Sequence, residues 1–229
     1  MRVVFAGPSI YGLEFDRTGL TLHPPAACGD VLKAVLNGAK AVGLIDGVFA
    51  NEPSVWHKEI LHILSRSVPV LGAASMGALR AAECDSFGMV GIGHIYADYR
   101  DGVRTADSDV ALLHAPAEMA FRPLTVALVD VEATLEAALA KRALLPVQAD
   151  NLARRARELH FTKRTWSALA AAANIDPGVL QSCQVERKRQ DALALIEAMH
   201  RLDLREPQSA PAWTLNRTKY LALLERRVR

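Results

Sequence analysis

The sequence predicts an α/β fold: a mostly parallel sheet with flanking helices, followed by an α-helical C-terminal region. Three observations predict it. Short apolar runs at residues 3–6 (VVFA), 41–45 (AVGLI) and 68–71 (VPVL) recur through the first half of the chain, each closed by small or turn-forming residues. Segments with apolar residues at helical spacing lie between them, and beyond about Val131 the pattern is helical only. Unbroken apolar runs suit parallel strands covered on both faces. Strands alternating with helices call for right-handed βαβ units.

Taken in order, residues 3–6 read as a first strand ended by Gly7-Pro8-Ser9. After a polar stretch, Gly29-Asp30 precedes VLKAVLNGA, a helix with Asp30 as N-cap and Gly38 as its stop. Residues 41–45 form the second strand, closed by Asp46-Gly47. PSVWHKEILHILSR reads as a helix, with Pro53 in its first turn and Glu52 at the positive end of its dipole. Trp56, Ile60, Ile63 and Leu64 make its apolar stripe, with His57 at the edge and Lys58 off it. Residues 68–71 are the third strand and 75–84 the third helix. Residues 89–92 are a fourth strand, 96–109 are polar and turn-rich, and 125–129 are a last strand.

Amphipathic, Ala-rich helices follow in VEATLEAALAKRALL, QADNLARRARELH and WSALAAAANI. Asp176-Pro177 starts a helix that runs on to an apolar face of Leu195, Ile196, Met199 and Leu202. A linker-like break at 206–211 precedes a last short helix ending in RRVR. The expected division is an α/β core over 1–130 and a helical region over 131–229.

At 229 residues, with 51% hydrophobic and 23% charged residues, the composition is that of a folded chain with one large core. No apolar run has the length of a membrane span, and MRVVFAGPSIYG reads as a strand rather than a signal peptide. Cys28, Cys84 and Cys183 are odd in number and far apart. That argues against a disulfide framework or a metal site and suits a reducing cytoplasm. Residues 1–131 carry 10 Lys+Arg against 14 Asp+Glu, and residues 132–229 carry 17 against 11. The basic charges alternate with acids on helices and lack interleaved aromatics, so they read as solvated faces and not as a nucleic-acid surface.

The candidate site lies where strands end. In open α/β sheets ligands sit beyond the carboxyl ends of the strands. Gly7-Pro8-Ser9, Asp46-Gly47 and the turn from Gly72 to Ser75 all fall at such ends. Gly72, Ala73, Ala74 and Gly77 leave little bulk around Ser75. A serine on a tight strand-to-helix turn is a nucleophile with oxyanion donors beside it, or a helix cap. Asp46, His57 or Lys58, and Ser75 form a set with the roles of acid, base and nucleophile. His57 and Lys58 are adjacent, so only one is expected to reach Ser75. Gly7, Ser9, Gly47, Gly72, Met76, Gly77, Arg80 and Glu83 are expected to surround the substrate, and Arg80 pairs with Glu83 three residues on. No metal is expected. HKEIL lacks the second histidine of a zinc motif, and the aspartates from 98 to 109 match no calcium loop. GxGxxG and the P-loop pattern are absent, so neither a dinucleotide nor a nucleotide cofactor is expected.

At these residues the sequence resembles the TfuA-like proteins. The motifs are GPS at 7–9, LIDGVF at 44–49, VWHKEIL at 55–61, GAASMGALRAAE at 72–83, GMVGIGHIY at 88–96 and DSDVALLHAP at 107–116. Ala74 departs from the family's SSMGALRAAE, leaving Ser75 as the hydroxyl of the turn. Residues 72–78 also resemble the nucleophile segment of Clp-type serine proteases. The resemblance to TfuA-like proteins implies an accessory protein of peptide-backbone thioamidation, acting with a YcaO-type ATP-dependent enzyme. It implies a serine-dependent hydrolase that frees sulfide from the thiocarboxylated C-terminus of a ThiS-like sulfur-carrier protein, with the precursor peptide as a further partner. The alternative is a non-catalytic adaptor that recruits the YcaO enzyme or its peptide.

Overall fold

The computed structural model describes residues 1–49, 52–204 and 211–228. In chain order the elements are β1 (Arg2–Phe5), β2 (Leu20–His23), α1 (Asp30–Leu36), β3 (Ala41–Leu44), α2 (His57–Leu64), β4 (Val70–Ala73), α3 (Met76–Cys84), β5 (Val90–Ile92) and α4 (His94–Arg100). They are followed by α5 (Leu128–Ala140), α6 (Pro146–Glu158), α7 (Trp166–Ala173), α8 (Pro177–Ser182), α9 (Arg187–Arg201) and α10 (Lys219–Val228). The expected break at 206–211 lies, Pro211 apart, outside the described residues, as does Arg229.

The chain forms two compact units, Met1–Val103 with Arg189–Arg229, and Arg104–Lys188. In the first, five parallel strands pair in the order β2-β1-β3-β4-β5. This is a doubly wound order whose direction reverses between β1 and β3, the place where such sheets open a crevice at their carboxyl edge.

Alternating residues face opposite sides. Val3, Phe5, Val42, Leu44 and Val70 pack with Val31, Ile60, Ile63 and Ala81 of α1, α2 and α3. Val4, Ala6, Ala41, Ile45, Leu71 and Ala73 pack with Ala192, Leu195, Ile196 and Met199 of α9. Each of Leu195, Ile196 and Met199 contributes about 1.5–3 kcal/mol by its burial, so α9 is a structural layer of this unit. The second unit is a helical cluster around Val131, Leu135, Leu152, Leu169 and Leu180.

Several expectations are corrected. Leu20–His23, in the polar stretch after the first turn, is the edge strand β2, paired with β1 from Arg2↔Leu20 to Phe5↔His23. One neighbour is enough for an edge strand, and its residues are only partly buried, so no apolar run marks it. Residues 125–129 are not a strand: α5 begins at Leu128, with Ala127 preceding it in extended geometry. The helix expected from Pro53 starts at His57, which leaves Trp56 outside it and 40% exposed. The Asp176 carboxylate does accept from Gly178 N at 2.9 Å, but its helix ends at Ser182 and α9 is separate. Gly29, at φ 96°, occupies the cap position expected for Asp30, whose carboxylate instead accepts from Ala27 N at 2.9 Å.

Candidate functional site

The carboxyl ends of β1, β3, β4 and β5 lie side by side, because Phe5 pairs with Leu44, Leu44 with Gly72, and Ala73 with Ile92. The residues that follow these strands therefore share one rim: Gly7 to Ser9, Asp46 and Gly47, Ala74 to Met76, and Gly93 and His94.

Asp46 is 1% exposed and fills the crevice between β1 and β3. Its Oδ2 accepts from Gly7 N at 2.9 Å and Ser9 N at 3.0 Å, and its Oδ1 accepts from Ser9 Oγ at 2.7 Å. A turn whose amides would otherwise receive an anion is thus occupied by the protein's own carboxylate. Asp46 and Ser9 are brought together; Asp46 and His57 are not joined by a hydrogen bond among the described residues.

The turn from β4 into α3 is built by close approach. Gly77 N donates to Ile45 O at 3.1 Å, and a Cβ on Gly77 would collide with the Leu44 carbonyl. Gly72 faces Gly77 in the same way, its missing Cβ taken up by the Gly77 carbonyl. Gly47 leaves room for the Met76 side chain, whose Cγ lies 2.7 Å from where a Cβ would stand. Between these contacts the chain turns sharply: Ala74 sits at φ 65°, and Ser75 N donates back to Ala73 O at 2.7 Å. A non-glycine residue held in this region carries strain of about 1–3 kcal/mol, which surrounding packing must hold in place.

Ser75 follows at φ −126° and ψ −124° and is 2% exposed. Its backbone carbonyl accepts from Ala78 N at 2.9 Å, but its side chain does not cap α3. The hydroxyl has no hydrogen-bond partner among the described residues, and neither does the N–H of Met76, the first residue of α3. Of the two readings of this serine, the helix cap is therefore not the one adopted. A hydroxyl and an amide donor stand together at a strained turn, both uncommitted.

His57 and Lys58 are positioned elsewhere. His57 Nε2 lies 2.8 Å from Glu83 Oε2, with both side chains nearly half exposed. Arg80 Nη1 donates to the same oxygen at 2.6 Å, its Nε to Val55 O at 2.7 Å, and its Nη2 to Ser54 Oγ at 3.3 Å. Arg80 thus ties the segment before α2 to α3. Burial pushes the Glu83 carboxyl up, but the hydrogen bond from His57 and the charge of Arg80 outweigh it and hold the group below its ordinary range. Glu83 lies eight positions beyond Ser75, about 12 Å along the axis at 1.5 Å per residue, so His57 is joined to the far part of α3, and no hydrogen bond joins it to Ser75 among the described residues. Lys58 Nζ donates at 3.5 Å to Asn216 O.

At sequence level two residues of this region gave no functional signal. Glu59, fully buried, accepts from Trp56 N at 2.8 Å, Gly29 N at 3.0 Å and Leu32 N at 3.4 Å, and so joins the starts of α1 and α2. Asp191 of α9 accepts from His94 N at 3.0 Å and Ile95 N at 2.8 Å, holding the start of α4 on the rim. Glu59 carries a legible trace, since it falls three residues after Trp56 as a capping acid does. Asp191 carries none, because its partners lie almost a hundred residues away. Two thiols are held in their protonated form: burial raises Cys84 to about 12, and burial with the nearby Glu59 charge raises Cys28 to about 11. Among the described residues no three His, Cys, Asp or Glu side chains gather as a metal site would need.

Among protein families, the chain matches TfuA-like protein over residues 46–165, more than half its length. The chain belongs to the TfuA-like family. The matched segment of this TfuA-like chain takes in Asp46, the start of α2 and the turn at Ser75. No curated protein matches the chain. Among solved structures one match is the RcsB response regulator of Salmonella typhimurium, in a structure concerned with conformational dynamism for DNA interaction. It has 13% identity, covers 87% of this chain and 99% of that one, and gives a TM-score of 0.21, too low to bear on fold or function. No helix among the described residues is long and apolar enough to cross a membrane.

Proposed function

We propose that this TfuA-like chain is a cytoplasmic accessory hydrolase of peptide-backbone thioamidation. Its substrate is the thiocarboxylated C-terminus of a ThiS-like sulfur-carrier protein, and it supplies sulfide to a YcaO-type enzyme that acts on the precursor peptide. The observation that carries this reading is the Ser75 hydroxyl. Among the described residues it makes no hydrogen bond, and it stands at a strained strand-to-helix turn next to a Met76 N–H that makes none either.

The chemistry asked of these groups is acyl transfer. Ser75 Oγ attacks the thiocarboxylate carbonyl carbon, the developing oxyanion takes the Met76 N–H at the start of α3, and sulfur leaves. Water then hydrolyses the ester and regenerates the hydroxyl. Asp46, by holding Ser9 and Gly7, shapes the neighbouring turn. ATP chemistry belongs to the partner in this scheme. The Gly7-to-Ser9 amides that resemble a phosphate cradle are already taken by Asp46.

The test is sulfide release from a thiocarboxylated carrier protein, followed for the wild type and for Ser75→Ala. Loss of release by a hundredfold or more in the variant, with the fold intact, supports the reading. Equal rates would sink it and leave the adaptor role, to be measured as binding of Ser75→Ala to the YcaO enzyme.

A further inference from the structure

We propose that the outer face of α10 is the docking surface for the carrier protein whose tail enters the site, an inference that rests on the hydrolase reading above. One helix builds the face. Leu221 and Leu224 turn inward and are buried, and so is Glu225, the one acid of α10. Tyr220 and Leu223 turn outward, 61% and 57% exposed. Arg227 follows Leu223 at helical spacing and is exposed as well. Lys219 and Arg226, two turns apart, run along the same face. Lys219 Nζ lies 5.3 Å from the centre of the Tyr220 ring, so charge and aromatic form one patch.

The patch is basic because the neighbouring acids are held inside. Glu225 Oε2 accepts from Arg217 Nη2 at 2.6 Å, and its Oε1 lies 3.3 Å from His62 Nδ1 of α2. Glu59 of α2 is buried, and the Asp30 carboxylate of α1 accepts from Ala27 N. No carboxylate pairs with Lys219, Arg226 or Arg227 among the described residues. An apolar pair ringed by such cations fits a protein surface with an apolar hollow edged by carboxylates. Tyrosine and arginine are also the side chains that carry most binding energy at protein interfaces. A second copy fits badly, since Lys219, Arg226 and Arg227 would face their own counterparts. A bilayer fits badly too, because it takes up a broad apolar helix face and Leu221 and Leu224 are committed inward.

The position of α10 ties this patch to the rim. A Cβ on Gly29 would stand 2.8 Å from Val228 Cγ1 and 3.2 Å from Leu224 Cδ1, so the carboxyl end of α10 lies on Gly29. Three residues earlier, Ala26 N donates to Asp46 O at 3.0 Å and Ala26 O accepts from Val48 N at 3.0 Å. Three residues of chain span at most about 10 Å. Gly47, between Asp46 and Val48, is the glycine against which the Met76 side chain packs. The end of α10 that carries Arg226 and Arg227 therefore flanks the rim at the exit of β3. A carrier must hold its body outside the site while its tail runs to Ser75, and this flank lies beside that path. The YcaO enzyme inserts no segment into the site in this scheme, so nothing requires it at the rim.

The experiment measures steady-state sulfide release from the thiocarboxylated carrier and, by titration, binding of the unmodified carrier. The full-length proteins are wild type, Ser75→Ala, the double variant Tyr220→Ala with Leu223→Ala, and the double variant Lys219→Glu with Arg226→Glu, with thermal melts for each. The expected result is that both α10 variants raise KM and weaken carrier binding about tenfold or more, with kcat within about twofold of wild type. Wild-type binding weakens as salt rises, and that dependence flattens in Lys219→Glu with Arg226→Glu. KM and carrier binding within about twofold of wild type in both α10 variants overturn the proposal, and loss of release in Ser75→Ala then leaves the hydrolase reading standing. Carrier binding that depends on α10, with full release by Ser75→Ala, overturns the hydrolase reading and leaves the docking surface. Duplex DNA or phosphatidylserine vesicles bound as tightly as the carrier, and lost in the same variants, overturn the assignment to the carrier.

Discussion

Gly77 N donates to Ile45 O at 3.1 Å, and the Leu44 carbonyl lies where a Cβ of Gly77 would have to go. The first turn of α3 is thereby laid directly on the end of β3, with the Met76 side chain against Gly47. Backbone cannot yield as a flexible side chain does, so Gly77→Ala must push α3 off the strand. The expected loss is about 3 kcal/mol, at the upper end of overpacking costs, read as a lowered denaturant midpoint. Sulfide release should fall with it, because the Ser75 turn is built on this contact.

Ser75→Ala separates a cap from a nucleophile without any assay of activity. Removing a capping serine costs about 0.5–2 kcal/mol. The Ser75 hydroxyl makes no cap bond, so the substitution should leave stability within about 0.5 kcal/mol of wild type. A thermal melt lowered by the full value of a cap would contradict the geometry.

Asp46 and Ser9 are one unit. Asp46→Ala leaves two amides and a hydroxyl without their acceptor in a buried place, for an expected loss of about 2–4 kcal/mol. Ser9→Ala removes a single bond to the same carboxylate, for about 1–2 kcal/mol. Because they share that bond, the double variant should be less destabilised than the sum of the two, as a double-mutant cycle by urea unfolding would show.

Glu59 predicts a pH dependence. Burial lifts its carboxyl from an ordinary 4.5 to about 7, against the pull of the Trp56, Gly29 and Leu32 N–H groups. The folded chain therefore holds a proton that the unfolded chain releases between about pH 4.5 and 7. Its contribution to stability is complete below that window and is lost as pH rises through about 7, a swing of about 3 kcal/mol. Glu59→Gln cannot release that proton. The difference in unfolding free energy between wild type and Glu59→Gln should change across pH 5–8, and a flat difference would refute the assignment.

The strands β1, β3 and β4 and the helix after Ser75 were legible because buried parallel strands are locally apolar and small residues mark their exits. β2 was not, since an edge strand needs one neighbour and no apolar run. Pro53 and Glu52 suggested an early start for α2. The start is at His57, because Glu59 captures the Trp56 N–H, and that depends on α1 being alongside. Residues 125–129 carry β-branched side chains yet lead into α5, where helix packing outweighs local preference.

The sequence by itself determined the alternation of strands and helices, the exits where the site is proposed, and the serine at the tightest of them. These follow from periodicity and residue size, which act over a few positions. Only the tertiary structure decided the partners: Asp46 with Ser9, His57 with Glu83, Asp191 with the start of α4, and, for the Ser75 hydroxyl, none among the described residues. Each of those choices depends on which groups lie within about 3 Å once distant segments pack, and no local pattern encodes that distance.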